Sequence, residues 1–409
     1  MTGIKGRGGF RRAPGARRRI WGWAVATIAS AFAAAALAAG LTACGLTRAM
    51  WHRHKIGVAM ADERPRDSAT FRRHDSIPVL HLRGTPREIG AQHGRALRRE
   101  LRELDAYLRA IVPRAQMEAF FAQAQACSRS LPPEYREELA AMAEAANVPY
   151  DELLAINVIP RLQCSALAVW GDATRDGATI MGRNADYFGL GLADRGSVVA
   201  VYHPAEGEAV AAVTFLGMIG AFTGINEHGV AFGNMLVFNA ADPGPDPAGL
   251  PVQLAMRMAA HRAESAGEFA RYLLDRRHAI PMNVIAADSS DALVLELGHN
   301  GSSILRGDRG FVAVSNHFRT PALCRHLPAC ERLAGLEAFA EEHRGRFDVP
   351  LMEQALFGAR IPDLNLQAAV FEPARMRMHV SLNRVPASAG PYVAFDLREL
   401  FATSPIPSN

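Results

Sequence analysis

The apolar pattern of the body starts with Ile77-Pro78-Val79-Leu80-His81-Leu82, a short run that predicts a strand. Gly84-Thr85-Pro86-Arg87-Glu88 then reads as a helix start: Thr85 is the N-cap, Pro86 lies in the first turn, and Glu88 closes a capping box. Leu97, Leu101, Leu104, Leu108 and Ile111 follow at spacings that alternate between four and three, which is one apolar stripe of a helix that Pro113 ends. Two more helices are predicted, from near Pro133 with Leu139 and Met142, and from near Pro149 with Leu153 and Leu154. The stretch from 84 to about 159 is thus helical. At Cys164 the texture changes to strands, over 165–170, 197–203, 209–215 and 229–238, all rich in Val, Ala and Phe. A turn at 171–177 separates the first strand from the Gly182-Arg183 region, and the Pro-rich run 242–247 reads as a surface loop. Helices over 251–262 and 266–276 precede strands at 283–287 and 292–297. A hairpin of 303–306 with 311–315, a helix over about 328–343, and a strand pair near 368–371 and 376–380 complete the series. Helices inserted among mostly antiparallel strands indicate the α+β class.

Charge changes the picture at the N-terminus. The chain has 409 residues, 49% hydrophobic and 21% charged, which is ordinary globular composition. Its net charge of +4 is unevenly placed: residues 1–55 hold ten of the 45 Lys and Arg and no acid. The remainder is mildly acidic, which argues against nucleic-acid binding. Arg17, Arg18 and Arg19 precede an uncharged apolar stretch from Ile20 to Ala43, the pattern of an export signal. It ends in Leu41-Thr42-Ala43-Cys44, which resembles the lipobox of bacterial lipoproteins and makes Cys44 the candidate lipidated residue. The other reading is an uncleaved anchor helix, because 24 apolar residues span a bilayer. Either way the body is expected outside the cytoplasm, attached to a membrane. Residues 45–76, polar and Arg-rich, read as a linker.

Five cysteines are few for an exported chain of this length, and none has zinc-ligand spacing with another Cys or His. Cys324 and Cys330 are close enough in sequence to pair, and Cys127 reads as a packing thiol. Cys164 stands where helices give way to strands. A cut before it would free an α-amine with a pKa of about 8, able to act as general base for its own thiol. Some twenty residues on, Gly182-Arg183-Asn184-Ala185-Asp186-Tyr187 supplies an Arg that favours a thiolate and an Asp that can orient an ammonium.

With these residues the chain resembles the acyl-coenzyme A:6-aminopenicillanic acid acyltransferase family of cysteine N-terminal-nucleophile hydrolases, over about residues 77–400. The resemblance rests on Gly84-Thr85-Pro86-Arg87-Glu88-Ile89-Gly90-Ala91-Gln92-His93-Gly94, on the helical segment 135–144, and on Cys164-Ser165-Ala166. It also rests on Gly182-Arg183-Asn184-Ala185-Asp186, on Gly224-Ile225-Asn226-Glu227-His228-Gly229 and on Val314-Ser315-Asn316-His317-Phe318. It implies a four-layer αββα sandwich with a helical pro-segment over 77–163 and a catalytic region over 164–409. It further implies autocatalytic cleavage between Gln163 and Cys164 into two chains that stay together as an α/β heterodimer. Gln163 departs from the Gly common in the best-known members.

The resemblance makes Cys164 the nucleophile, poised by Arg183 and Asp186, with Asn316 in the oxyanion hole and Asn234 or Asn184 as further candidates. A downstream catalytic Arg is expected at Arg375, with Arg332 behind it. The implied substrate is a small N-acyl amide, cleaved or transferred through a Cys164 thioester without metal or organic cofactor. The competing readings are a papain-like cysteine peptidase with a His base, and an inert lipid-anchored relative. His228 and His317 are expected in turns rather than as bases, and Asn226 and Glu227 as turn-shaping residues.

Overall fold

The computed structural model describes residues 43–62, 70–158, 163–187, 192 and 195–402. Residues 1–42 of the expected export signal therefore lie outside the described residues, as does the side chain of Cys44. In chain order the first part holds helix α1 (Ala43–Ala61), strands β1 (Phe71–His74) and β2 (Ile77–Gly84), and helices α2 (Pro86–Ala96), α3 (Arg98–Ile111), α4 (Arg114–Ser128), α5 (Pro133–Ala146) and α6 (Tyr150–Val158). Strands β3 (Gln163–Gly171), β4 (Gly177–Asp186), β5 (Ser197–Pro204), β6 (Val210–Phe215), β7 (Thr223–Asn226) and β8 (Ala231–Leu236) come next. Helices α7 (Val252–Ala260) and α8 (Ala266–Leu274) lead to β9 (Met282–Ala287), β10 (Ala292–Gly298), β11 (Gly301–Arg306) and β12 (Phe311–Val314). The chain closes with α9 (Glu331–Glu342), α10 (Val349–Ala359), β13 (Asn365–Glu372), β14 (Arg377–Leu382), β15 (Val393–Asp396) and α11 (Leu397–Ala402).

The strands form two sheets. One is nine-stranded, in the order β1-β2-β5-β6-β7-β8-β9-β10-β11, and antiparallel except for β2 against β5. The other is six-stranded, in the order β12-β3-β4-β13-β14-β15. Alternation along each strand separates three apolar layers. Leu80, Leu82, Val198 and Ala200 pack under helices α3, α5 and α7. Val79, Val199 and Val201 of the same strands meet Cys164, Ala166 and Ala168 of β3 between the sheets. Leu167 and Val169, the alternate residues of β3, pack with Leu333, Leu336, Met352 and Leu356 of α9 and α10. The layers are thus helix, sheet, sheet, helix, the αββα sandwich that the resemblance implies.

The capping box at α2 is present: the Thr85 hydroxyl accepts from Glu88 N–H at 3.4 Å and Glu88 Oε2 accepts from Thr85 N–H at 2.8 Å. Two expectations need correction. Residues 45–76 are not a bare linker. Helix α1 and strand β1 occupy much of the segment, because Ala49, Ile56 and Met60 share one face of α1 and are buried in the helical layer. The predicted 303–306/311–315 hairpin does not form either. Strand β11 is an exposed edge beside β10, whereas β12, buried throughout, crosses to the other sheet and pairs with β3. Helix α10 was not expected, and α4 falls within the stretch expected to be helical without having been told apart there; it buries only Ala124 and Cys127, so its sequence carries almost no apolar stripe.

Candidate active site

Cys164 is the second residue of β3, held in register between β4 and β12, with Cys164 opposite Ala185 and Ala166 opposite both Arg183 and Val314. Directly opposed residues share a face. Cys164 and Arg183 therefore both project between the sheets, and both are fully buried or nearly so. Arg183 Nη2 donates to Cys164 Sγ at 2.9 Å and to the Asn234 carbonyl at 2.9 Å, and its Nη1 donates to Thr223 Oγ1. No carboxylate is among these partners. The guanidinium crosses β8 over Gly233, where a Cβ would lie 2.6 Å from Arg183 Cδ. Glycine at 233 is what admits this arginine.

A second arginine comes from the first turn of α9. Arg332 Nη1 donates to the Cys164 carbonyl at 3.0 Å and to Asp186 Oδ2 at 3.3 Å, and its Nη2 donates to Asn316 Oδ1 at 2.8 Å. Asn316 Oδ1 also accepts from the Cys164 backbone N–H at 3.0 Å. Its amide nitrogen donates to the Leu236 carbonyl at 2.7 Å, which fixes the amide orientation because a carbonyl only accepts. Asp186 is buried opposite Gln163 and takes a further hydrogen bond from Asn365 Nδ2 at 2.9 Å. Two cations and one carboxylate thus surround a neutral thiol, so the site carries room for one negative charge.

Burial pushes the Cys164 thiol up to about 11 despite the opposing pull of Arg183, so it stays protonated at neutral pH in the uncut chain. Burial likewise raises the Asp186 carboxyl to about 6, against the pull of Arg332. Close by, Cys330 caps α9, accepting from Leu333 N–H at 3.5 Å and lying 3.3 Å from Ser315 Oγ. Its partial burial raises the thiol, but hydrogen bonds with His317, Ser315 and Leu333 outweigh that and bring it down to about 6. Cys330 thus braces Arg332 on one side and, through Ser315, Asn316 on the other. Cys324 and Cys330 are both free thiols.

The structure brings together Cys164, Arg183, Asp186, Asn234 and Asn316 as named from the sequence. Asn234 Nδ2 is buried and, among the described residues, has only Met282 Sδ, at 3.9 Å, as partner, so a strong donor is left nearly unspent beside Arg183. Asn184 does not touch Cys164, but its Oδ1 accepts at 3.2 Å from Asn365 Nδ2, which also donates to Asp186. It lies on the opposite face of β4 and donates to the Leu356 carbonyl at 2.7 Å, tying β4 to α10. Arg375 is also elsewhere: it pairs with Asp176 and Glu372 beyond the other end of β4, roughly 30 Å along the strand from Asp186. The downstream arginine that reaches Cys164 is Arg332, because the N-terminus of α9 abuts the strand ends while the 373–375 turn does not. His228 pairs with Glu208 at 2.8 Å, and Asn226 Oδ1 closes its turn by accepting from His228 and Val230 N–H. His317 contacts Ser315 at 3.0 Å, not Cys164. Sequence reading missed Thr223, Gly233, Asn365 and Cys330; the Cys330-x-Arg332 spacing ahead of the Leu333/Leu336 stripe was the one available signal.

Comparison with known proteins bears on the same region. Among curated proteins, the chain is 24% identical over 183 residues to the protein dcd1B of Dictyostelium discoideum, covering 37% of each. It is 21% identical over 246 residues to an uncharacterized protein of Archaeoglobus fulgidus, covering 51% of this chain and 41% of that one. The chain therefore spans about two fifths of the length of the curated relatives it matches. Among solved structures, a Caenorhabditis elegans N-acylethanolamine-hydrolyzing acid amidase ortholog matches with a TM-score of 0.41 at 15% identity, over 51% of this chain and 93% of that one. Penicillin V acylase from Agrobacterium tumefaciens matches with a TM-score of 0.40 at 12% identity, over 54% and 83%. The sequence model that matches begins just after Cys164 and takes in Arg183, Asp186, Asn234, Asn316 and Arg332 but not Arg375: residues 173–341 carry the pattern of the acyl-coenzyme A:6-aminopenicillanic acid acyl-transferase family.

Proposed function

We propose that this chain is a self-processing cysteine hydrolase. It cuts itself between Gln163 and Cys164 and then cleaves, or transfers, the acyl group of a small N-acyl amide through a thioester on Cys164. The single observation that carries the reading is the pairing of the Cys164 thiol with a buried arginine that has no carboxylate partner among the described residues. A buried cation left so open favours the thiolate and the negative charge that follows it in acyl transfer.

In the uncut chain the Gln163 carbonyl occupies the place of the first substrate. Attack by Sγ on that carbon, with the thiol proton passing to the Cys164 nitrogen, shifts the acyl group from nitrogen to sulfur. Water then hydrolyses the thioester, and Cys164 becomes an N-terminus. Its α-amine inherits the hydrogen bond to Asn316 Oδ1, which orients it. In each later turnover the amine takes the thiol proton, Sγ attacks the substrate carbonyl, and the leaving amine departs with the proton returned. Asn234 Nδ2, with its unspent donor, supports the oxyanion. Arg332, itself paired with Asp186, holds the Cys164 main chain. Water or a second amine completes the cycle. The body acts outside the cytoplasm, attached to a membrane through the N-terminal segment, which favours amide hydrolysis over use of coenzyme A.

The papain-like alternative needs an imidazole against Cys164. The side chains bonded to Cys164 among the described residues are Arg183, Asn316 and Arg332, so no observation favours it. The test is intact mass and N-terminal sequencing of wild type and Cys164→Ala. Wild type is expected to yield a chain beginning Cys164-Ser165-Ala166, and the mutant to stay whole. A folded wild type that stays whole sinks the proposal.

A further inference from the structure

Four of the large exposed apolar side chains of this protein sit on a single helix. On α1, Leu46, Met50, Trp51 and Val58 are 54%, 58%, 58% and 45% exposed. At 100° per residue these positions, with His54 among them, fall within an arc of roughly 140°. The opposite arc is spent on the fold, with Ala49, Ile56, Ala59 and Met60 all buried. Helix α1 is thus apolar on both faces, whereas an ordinary surface helix is apolar on one. Arg48 and Arg53 border the outer face on either side, and no acid occurs anywhere in Ala43–Ala61. Lys55 lies 5.5 Å from the Trp51 ring and 3.1 Å from Glu103 of α3, which pins the helix to the body.

Two further observations say what covers this face. The helix begins where the uncharged apolar stretch from Ile20 to Ala43 ends, so its first turn follows directly on a segment with the length of a bilayer span or an export signal. The flanking cations suit an anionic surface, and tryptophan with arginine favours the boundary between headgroups and acyl chains. Among the described residues, no helix is long and apolar enough to cross a membrane, so α1 itself is not a span.

We propose that the outer face of α1 lies in the surface of an anionic lipid membrane, with Leu46, Met50, Trp51 and Val58 among the acyl chains. The helix then does more than tether. Because its inner face is packed into the helical layer, it fixes the orientation of the whole body on the membrane. This inference does not depend on the proposed chemistry at Cys164.

The experiment uses the full chain with vesicles of phosphatidylglycerol and phosphatidylcholine brominated on their acyl chains. The Trp51 signal is taken as wild type minus Trp51→Phe. Its emission is expected to shift to the blue and to be quenched by the brominated lipid. Met50→Glu with Trp51→Glu, both at exposed positions, is expected to abolish this docking and to weaken partitioning of the body by roughly ten-fold or more. Self-cleavage in detergent stays at the wild-type level in that variant. Trp51 emission typical of water overturns the proposal. A blue shift that bromine leaves untouched overturns it too, since residues 20–42 or a second copy of the chain then cover the face.

Discussion

Two buried arginine centres can be compared in this fold. Arg257 on α7 and Arg183 on β4 are both almost fully buried. Arg257 donates to both carboxylate oxygens of Glu138, at 2.8 and 3.0 Å, and to the Ile219 carbonyl and His261 Nε2. Its guanidinium lies 3.6 Å from the Tyr202 ring and 5.2 Å from Tyr135. Charge is closed there, one cation against one anion, and every partner is fixed. Among the described residues, Arg183 has only neutral acceptors and a thiol. A closed pair of this kind holds structure together, whereas an open cation is held for an anion that has yet to form. Position sharpens the contrast. Glu138 and Tyr135 precede the proposed cut and Arg257 follows it, so the closed centre clamps together the two chains that the open centre is proposed to separate.

The largest effects separate the two centres by what is lost. Arg183→Gln is expected to leave a folded chain that processes and turns over slower by roughly 10²–10³-fold. Glu138→Gln strands a buried guanidinium and is expected to destabilise the protein by about 3–5 kcal/mol in denaturant titration, with unchanged activity per folded molecule. If Arg183→Gln destabilises the protein as much as Glu138→Gln does, the distinction between the centres fails. Gly233→Ala comes next. Its methyl displaces Arg183 without removing it, and a misplacement of about 1 Å is expected to cost roughly 100-fold in rate. Overpacking adds about 1–3 kcal/mol of destabilisation. Single-turnover kinetics beside a melt reads both.

Much of the open centre could be read from the chain and little of the closed one. Cys164, Arg183, Asp186 and Asn316 announce themselves because chemistry needs those residue types near a strand start. Arg257 and Glu138 look like ordinary helix-surface residues, and only the packing of α7 against α5 makes them partners. The same limit explains the arginine expected at residue 375. Sequence order cannot show that α9 starts against β3 while the turn before β14 lies at the far end of β4. The layers were legible from alternation, but the crossing of β11 to β12 was not, since a four-residue turn serves a hairpin and a change of sheet equally well.

A pH profile tests the open centre more gently. Asp186 titrates near 6 in the fold, raised by burial from an ordinary 3.8. The folded state therefore holds this proton more tightly than the unfolded one. That contribution to stability is full below about 4 and is lost as pH rises through about 6. Activity runs the other way, because Arg332 loses its carboxylate partner when Asp186 is protonated. The expected rate of self-cleavage, a step that does not use the α-amine, falls as pH drops below about 6, approaching ten-fold per pH unit, and Asp186→Asn lacks this limb. A limb that persists in Asp186→Asn would assign the titration elsewhere.

The smallest expected effect is at Arg375. It is 40% exposed and bonded to Asp176 and Glu372, both distant from Cys164. Exposed ion pairs contribute little, so Arg375→Ala is expected to change stability by no more than about 1 kcal/mol and to leave processing untouched. Arg332→Ala, by contrast, removes the side chain that binds the Cys164 carbonyl, Asp186 and Asn316 at once, and should slow cleavage at residue 164 by roughly 10²-fold. Measured side by side, the two variants decide which arginine completes the open centre. A slow Arg375→Ala with a normal Arg332→Ala would mean that the working site is assembled differently from the one in the continuous chain.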